Sequence, residues 1–461
     1  MKTFARGIHL PDYRKKATAL KPIQELALPK RVVLPLQMNL GCPNEPLVKI
    51  GDEVVEGQKI ADTSKFVSAP IHASISGKVT KIERLPNPCG FDVASIVIEQ
   101  TEGAGSKAES RQPSAVSSIE ALTPDEIRKI VREAGIVGLG GATFPTHVKI
   151  TPPADKKIDT IIINGCECEP YITADHRLML EKPADIIYGA MAIAKAIGAS
   201  RIVIGIEDNK RDTIEKLTKA LTSISLLPQG EGNGLPAGQA GVRDLMVTEL
   251  KTKYPQGGEK QLIKALLNRD VPSGGLPLDI GVVVNNVGTA VAVAEAIKFG
   301  TPLIKRVLTV TGSGIKEPQN VLVRIGTSFE EVINQCGGMV GDTAKVIMGG
   351  PMTGLAISAL DLPVVKATNC ILVLSKKDVK LFEESSCIRC GRCIKACPIG
   401  LMPNFLADFT KLKNWELVEE YHVADCIECG CCAYVCPSRI YLVHYFKVAK
   451  KELQLRKVVC K

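Results

Sequence analysis

The sequence has no run of apolar residues long enough to cross a membrane. Its best apolar segments, such as residues 161–163 and 280–284, have the length of single strands, whereas a membrane-spanning helix needs about 20 residues. Residues 1–13 carry charges and prolines where a secretory signal would need an unbroken apolar segment. We therefore expect a chain that does not span a membrane and stays in the compartment where it is made.

Aromatic residues are also scarce, at 4% of the 461 residues. So few rings cannot build the broad platforms on which nucleic-acid bases stack. The formal net charge of +9 is spread along the chain rather than gathered into a long Lys/Arg block. Neither feature is typical of a nucleic-acid-binding protein, so we expect no nucleic-acid partner.

Cysteine is what the sequence has in excess, with 16 residues. In a chain of this size without an export signal, thiols are expected to serve metals or catalysis rather than disulfides. More than half of the cysteines fall between residues 387 and 436, where the pattern C-x2-C-x2-C-x3-C-P occurs twice. The two copies are Cys387, Cys390, Cys393 and Cys397, and Cys426, Cys429, Cys432 and Cys436.

This repeated spacing is specific for a pair of [4Fe-4S] clusters, in which the fourth cysteine of each motif serves the other cluster. Zinc is the alternative, but it usually takes two separated C-x2-C pairs or added histidines. Cys431 fits neither motif, and we interpret it as a bystander thiol. We therefore assign one cluster to Cys387, Cys390, Cys393 and Cys436, and the other to Cys426, Cys429, Cys432 and Cys397.

A Gly-rich loop, GLGGATFPTHVK, lies between a predicted helix and a predicted buried strand. The helix begins at the capping box Thr123-Pro124-Asp125-Glu126 and ends near Gly135. Glycines in such a loop let backbone N–H groups approach a phosphate or a flat ring. The strand at 160–163 leads into the acids of NGCECEP, which resembles a ribose-binding edge. Helices at 183–197 and 213–221 then alternate with strands at 201–206 and 245–250, which predicts a parallel sheet.

Two more polar segments, YPQGGEK and VVNNVGT, follow this sheet. The four segments occur in the same order in the NADH-binding flavoprotein subunit of respiratory complex I. Because a two-cluster ferredoxin-like segment comes after them, the chain resembles, over nearly its full length, the RnfC family of the Rnf electron transport complex. The resemblance implies FMN over the Gly-rich loop and NADH stacked on the exposed face of the flavin.

The resemblance also implies the residues of the site. Lys149 and Glu169 are the predicted catalytic residues. Two positions depart from the complex I pattern: Cys166 stands where that pattern has Asp, and Gly258 replaces the first of two acids. The predicted cofactor-binding residues are Gly138, Gly140, Gly141, Phe144, Lys149, Asn164, Glu167, Glu169, Tyr254, Gly257, Glu259, Asn285, Asn286 and Thr289.

Simpler interpretations of some of these residues stay open at this point. Glu167 and Glu169 could be solvated loop acids, and Lys149 could be a surface charge. Asn285-Asn286 could form an ordinary turn, and Cys166 and Cys168 are interpreted as free thiols.

The predicted fold is a multidomain α/β protein. Residues 1–105 form a barrel-sandwich module similar to biotinyl and lipoyl carriers, and residues 106–120 form a linker. A Rossmann-like FMN/NADH-binding α/β domain (121–300) and a β-grasp module (301–376) follow. Last come a mostly helical two-cluster ferredoxin-like domain (377–440) and a basic amphipathic tail (441–461). The tail either rests on anionic lipid or an acidic partner, or packs as a solvated helix.

The family implies an electron-input subunit of a membrane-bound, ion-translocating ferredoxin:NAD+ oxidoreductase, peripheral on the cytoplasmic face of the membrane. Its cofactors would be NAD(H), FMN and two [4Fe-4S] clusters. Its partners would be integral membrane subunits and other redox subunits of the complex, with ferredoxin acting indirectly. Two alternatives stay open: a soluble NADH-dependent reductase, for instance of a corrinoid, and a non-catalytic cluster scaffold.

Overall fold

The computed structural model describes residues 1–101, 119–225 and 242–459. Most of the predicted linker, residues 106–118, lies outside these ranges, and its end enters a short 3-10 turn at Ile119–Ala121. Within the described ranges, every helix is too short or too polar to cross a bilayer. The chain folds as a mixed α/β protein, as predicted.

The N-terminal segment, residues 2–25, contacts the central domain and a later sheet before the strands of the sandwich begin. Lys2 forms a parallel bridge with Leu250, and Ile8 forms an antiparallel bridge with Tyr254. Strand β1 (Ile23–Glu25) then pairs in parallel with Asn320–Leu322. The predicted module at 1–105 thus includes a segment that binds two other parts of the chain, and no periodicity in these residues indicated this.

Seven short strands form the sandwich itself. Two antiparallel sheets have the orders β2-β8-β7-β4 and β3-β5-β6. Apolar side chains such as Val32, Leu34 and Ile96 are fully buried in its core. The strands are β2 Arg31–Pro35, β3 Glu45–Pro46, β4 Glu53–Val54, β5 Lys59–Asp62, β6 Ile71–His72, β7 Gly77–Pro86 and β8 Asp92–Glu99.

The central domain contains the predicted parallel sheet, with strand order β11-β10-β9-β12. Strands β9, β10 and β12 are mostly apolar and buried, as expected where helices cover both faces of a sheet. The register aligns Asn164 with Asn286, so both side chains lie at the carboxyl edge of the sheet, where such folds bind ligands. The elements are α1 Pro124–Glu133, α2 Thr146–Lys149, β9 Thr160–Asn164, α3 Ala174–Glu181, α4 Pro183–Ile197, β10 Arg201–Glu207, α5 Arg211–Ser225, β11 Asp244–Leu250, α6 Glu259–Leu267, β12 Val282–Asn286 and α7 Val287–Phe299.

A mixed six-stranded sheet follows, with the order β1-β14-β13-β17-β15-β16. Strand β1 closes one edge of it, so the start of the chain completes a sheet built about 300 residues later. The elements are β13 Lys305–Thr311, β14 Gln319–Arg324, α8 Phe329–Gln335, β15 Thr343–Met348, β16 Leu355–Ala356 and β17 Cys370–Ser375.

The cysteine-rich module is helical, as predicted. Phe446 and Ala449 of the last helix share a buried core with Leu406 and Val418. Of the two interpretations of the tail, the structure therefore favours a packed helix. The helices are α9 Arg392–Ala396, α10 Pro403–Lys411, α11 Trp415–Glu420, α12 Cys431–Tyr434 and α13 Leu442–Val459.

Helices α4 and α7 touch backbone to backbone at Gly189. A Cβ atom placed there would overlap the carbonyl of Ala290. We expect Gly189→Ala to lower the free energy of unfolding by about 1–3 kcal/mol, because overpacking a tight contact forces the backbone apart. Gly341→Ala is the matched control, since a Cβ there meets nothing within 4 Å. Equal urea-unfolding midpoints for the two variants would contradict the expectation.

Candidate functional site

The eight predicted metal ligands gather into two groups of four. Cys387, Cys390, Cys393 and Cys436 line one cavity. Cys397, Cys426, Cys429 and Cys432 line the other. Each cavity therefore takes three thiols from one motif and the fourth from the other, which is the grouping expected from the spacing; metal binding itself stays a prediction.

The surroundings of both cavities fit iron–sulfur clusters. Apolar side chains complete the linings, for example Leu442 at the first cavity and Phe446 at the second. Thiols spread around an apolar cavity are the donor set that a cluster of several irons requires. The first cavity is closer to the surface, because Cys387 and Cys390 are exposed.

Cys431 lies beside the second group. Its thiol is buried and points towards the carbonyl oxygen of Tyr254, with 3.9 Å between sulfur and oxygen. It borders the second cavity next to Cys432. The sequence interpretation of Cys431 as a bystander thiol stays a prediction.

The Gly-rich loop is anchored from two sides. The backbone N–H of Leu139 donates to Thr289 Oγ1 at 3.0 Å, and Arg306 Nη2 donates to the Leu139 carbonyl at 2.6 Å. The carbonyl of Phe144 accepts from Gly138 N–H at 2.9 Å and closes the loop. A Cβ at Gly140 would press against the amide of Asn286. The loop is therefore closely packed where it meets Asn286, and a side chain at position 140 would displace the Asn286 amide.

Three asparagines lie at the carboxyl edge of the parallel sheet. Asn164 Nδ2 donates to the Gly257 carbonyl at 2.8 Å, and Asn286 Oδ1 accepts from Gly288 N–H at 2.7 Å, which caps helix α7. Asn285 is only 4% exposed, yet its Nδ2 has no hydrogen-bond partner among the described residues. A buried donor left unpaired is costly. It fits a site whose ligand supplies an acceptor, as FMN would.

The Gly-rich loop is accessible on one side. A Cβ at Gly141 would meet nothing within 4 Å, so the loop is open on that side. A separate cavity of about 410 Å³ lies against the same loop and is lined by Leu139, Asp175 and Arg306. Of the predicted cofactor-binding residues only Asn286 borders this cavity.

The two acids of NGCECEP are held inside the protein. The carboxylate of Glu167, 4% exposed, accepts from the N–H groups of Asp175 and His176 at 2.7 and 3.2 Å, at the start of helix α3. Glu169 accepts from the N–H groups of Met352 and Thr353 at 2.7 and 3.2 Å. Burial raises the pKa of Glu169, and these hydrogen bonds oppose the rise. Solvated loop acids, the simpler interpretation, are therefore wrong for both residues.

Tyr254 joins this loop to the cysteine-rich module. Its hydroxyl donates to the Cys429 carbonyl oxygen at 2.7 Å and lies 3.3 Å from the Glu169 carboxylate. The residue is 1% exposed. Tyr254, one of the predicted cofactor-binding residues, therefore contacts the backbone of the second cysteine group directly.

Lys149 and Glu259 form an ion pair with 2.7 Å between Nζ and Oε1. Their side chains are 30% and 40% exposed, so the pair lies at the surface of the domain. The structure brings together the basic and acidic residues that the resemblance implied, and their catalytic or binding roles stay predictions.

Sequence reasoning missed several residues that shape the site. Cys168 Sγ accepts from Gly257 N–H at 3.3 Å, and Asp175 Oδ2 accepts from Asn286 Nδ2 at 2.6 Å. Arg306 and Asp175 stand alone in the sequence and belong to no pattern. For the contact between Glu169 and the backbone of Met352, the sequence offered one signal. The Gly349-Gly350-Pro351 cluster precedes Met352, and such clusters mark loops.

Comparison with known families assigns all four parts of the chain. Residues 131–295 match the family described as Nuo51 FMN-binding domain, and residues 2–103 match the RnfC barrel sandwich hybrid domain. Residues 307–356 match the SLBB domain, and residues 380–437 match the 4Fe-4S dicluster domain. The fold and its two sites define a redox subunit with a flavin-binding-type domain and an iron–sulfur-type domain.

Similar proteins extend over almost the whole chain. The RnfC-type subunit of the Na(+)-translocating ferredoxin:NAD(+) oxidoreductase complex of Acetobacterium woodii is 47% identical, covering 98% of this chain and 97% of that protein. The corresponding subunit of the proton-translocating complex of Clostridium ljungdahlii is also 47% identical, over 98% and 94%. The chain belongs to the RnfC family, one of the subunits of the ion-translocating ferredoxin:NAD+ oxidoreductase (Rnf) complexes.

Among solved structures, the NAD+-reducing [NiFe]-hydrogenase in its H2-reduced state has a similar fold, with a TM-score of 0.52. The match covers 72% of this chain and 62% of the hydrogenase chain at 20% identity. At that identity the likeness concerns the fold alone.

Asp175 gives the site a pH dependence. Burial and the charge of Glu167 raise the pKa of Asp175 well above its usual range. A carboxyl with a raised pKa costs no stability below its ordinary pKa of about 4. The cost grows as the pH rises towards the raised value, by about 1.4 kcal/mol for each pH unit between the two pKa values. The melting temperature of Asp175→Asn, relative to the parent, should therefore increase between about pH 4 and pH 8.

The matched control is Asp155→Asn, because Asp155 is exposed in a turn at the surface. Its melting temperature should follow that of the parent at every pH. A flat difference between Asp175→Asn and the parent across this range would contradict the argument.

Proposed function

We propose that the chain is the peripheral electron-input subunit of a membrane-bound, ion-translocating ferredoxin:NAD+ oxidoreductase complex. In this role it passes electrons between NAD(H), FMN and two [4Fe-4S] clusters. The observation that carries the proposal is the position of Tyr254 between Glu169 of the candidate flavin site and the carbonyl of Cys429. The names of the relatives and the matched families support it.

The residues that would hold FMN surround the Gly-rich loop and the sheet edge. Asn285 Nδ2 is free to donate to the cofactor, and Thr289 and Arg306 fix the loop that would approach it. FMN held there would supply the chemistry that connects a two-electron donor such as NADH to one-electron acceptors. The proposed set is Gly138, Gly140, Gly141, Lys149, Asn164, Tyr254, Gly257, Asn285, Asn286 and Thr289, with Phe144, Glu167, Glu169 and Glu259 on the NAD(H) side.

The protein side chains contribute orientation and charge. The ion pair with Glu259 partly neutralises the positive charge of the Lys149 side chain. Tyr254, at 1% exposure, closes the space between the flavin site and the second thiol group against water. The donor sets for the two clusters are the crosswise groups of four cysteines.

We further infer that the chain exchanges electrons with other subunits at the exposed end of the cysteine-rich module. Cys387 and Cys390 are exposed, and Ile388 between them is 68% exposed. Such a site suits electron exchange with another protein. We propose as partners the integral membrane and other redox subunits of the complex on the cytoplasmic face of the membrane, with ferredoxin acting indirectly.

The SLBB-type module is proposed to be a β-grasp, and the helical module to be ferredoxin-like.

Anaerobic purification tests the cofactors. The pure chain should contain one FMN and about eight irons with eight sulfides, the content of two [4Fe-4S] clusters. NADH should bleach its flavin absorbance, and the membrane subunits should copurify when the complex is intact. A colourless protein holding zinc at the thiols would overturn the proposal.

The crosswise grouping predicts which cluster each cysteine controls. Cys436→Ser should remove the cluster at Cys387, Cys390 and Cys393 and leave the other, so that iron falls by about half. Cys397→Ser should have the opposite selectivity, which electron paramagnetic resonance of the reduced variants can check. Cys431→Ser is the control and should keep the iron of the parent; a loss of iron equal to that of Cys436→Ser would contradict the assignment.

A further inference from the structure

The N-terminal segment places a buried lysine beneath the NGCECEP loop. Lys15, whose side chain is 13% exposed, donates from Nζ to the carbonyls of Glu167, Glu169 and Ile172 at 2.7, 3.0 and 2.5 Å. Three accepting oxygens match the three N–H donors of an ammonium group. Burial lowers the pKa of Lys15, and the Glu167 carboxylate, 4.0 Å away, opposes the fall as a countercharge.

A second buried lysine holds the other end of the same loop. Lys210 Nζ donates to the Cys166 carbonyl at 2.5 Å and to Glu207 Oε2 at 3.1 Å. Lys210 belongs to the α/β domain, whereas Lys15 comes from about 150 residues before the loop. The two lysines together bind four carbonyl oxygens of the segment 166–172.

The loop needs this support because its backbone is strained. Glu167 and Tyr171 have φ values of 48° and 70°, in the left-handed region that residues other than glycine rarely adopt. Tyr171 N–H also donates to the Tyr13 carbonyl at 2.8 Å. Residues 13 and 15 therefore contact the loop at or beside both strained positions.

A chain of hydrogen bonds leads from Lys15 to the Gly-rich loop. The Glu167 carboxylate binds the N–H of Asp175 at 2.7 Å, and the Asp175 carboxylate binds Asn286 Nδ2 at 2.6 Å. The Asn286 amide packs directly on Gly140. A shift of the loop at Glu167 would thus reach the surface proposed to hold FMN.

We propose that Lys15 is a positioning residue of the flavin and nucleotide site, which fixes the NGCECEP loop from outside the α/β domain and adds a positive charge beside it. This inference rests on the proposed function, since it names a residue that sets FMN affinity and flavin potential. Loss of the charge would leave Glu167 less compensated and disfavour an anionic reduced flavin.

The test compares Lys15→Gln and Lys15→Arg with Lys16→Gln, a matched control because Lys16 is the exposed neighbour. We expect Lys15→Gln to weaken FMN binding about tenfold or more and to lower the flavin midpoint potential, with iron content unchanged. Hydrogen exchange of the 164–172 amides should become faster in Lys15→Gln even without FMN. Lys15→Arg should recover part of the FMN affinity and potential, and Lys16→Gln should match the parent.

The measurements distinguish failure of the proposed function from failure of the inference about Lys15. If the parent itself binds no FMN, the proposed function fails, whatever the variants do. If the parent binds FMN and Lys15→Gln has the affinity and potential of Lys16→Gln, the inference about Lys15 is overturned while the proposed function stands. If Lys15→Gln does not fold, Lys15→Met takes its place: a folded variant with the parent's iron and weakened FMN binding supports the inference, and a folded variant with the parent's FMN affinity and potential, or a second unfolded variant, overturns it.

Discussion

The structure depends on the buried hydrogen bonding around Tyr254. Its hydroxyl lies between the Cys429 carbonyl and the Glu169 carboxylate, and Glu169 in turn binds the backbone of Met352. The α/β domain, the SLBB-type module and the cysteine-rich module therefore meet at one point. A polar group buried this deeply is stable only when its partners are in place. These hydrogen bonds, together with the contacts of Asp425 with Ser273, Gly274 and Lys260, connect the cysteine-rich module to the rest of the protein.

Charged groups buried near this point are balanced in pairs. Lys210 lies 3.1 Å from Glu207 with both side chains almost fully buried, and Lys15 lies beside Glu167. Buried ion pairs add little net stability over apolar packing, but removing one partner is costly. We infer that these pairs serve geometry, because Lys15 and Lys210 bind backbone carbonyls of the NGCECEP loop while their charges are balanced by Glu167 and Glu207.

Much of the fold could be predicted because its signals are local. The helix Pro183–Ile197 and the alternating strands follow from periodicity, and the crosswise cysteine grouping follows from spacing. The N-terminal segment could not be predicted, because its structure is set by residues far along the chain. Asp175 and Arg306 were missed for the same reason: a single charged residue has no pattern, and its role depends on what the fold brings beside it. The candidate flavin residues came from resemblance, and the structure adds the contacts between them.

The manner in which the NGCECEP loop is held also accounts for Cys166, which departs from the complex I pattern. Lys15 and Lys210 bind backbone carbonyls, so the path of the loop does not require a particular side chain at position 166. The Cys166 thiol is fully buried in an apolar core. An aspartate in that core would need a partner, and Lys210, the buried cation nearby, already pairs with Glu207. Position 166 therefore holds a side chain that its buried apolar surroundings accept without a charged partner, and the roles of Glu167 and Glu169 stay predictions.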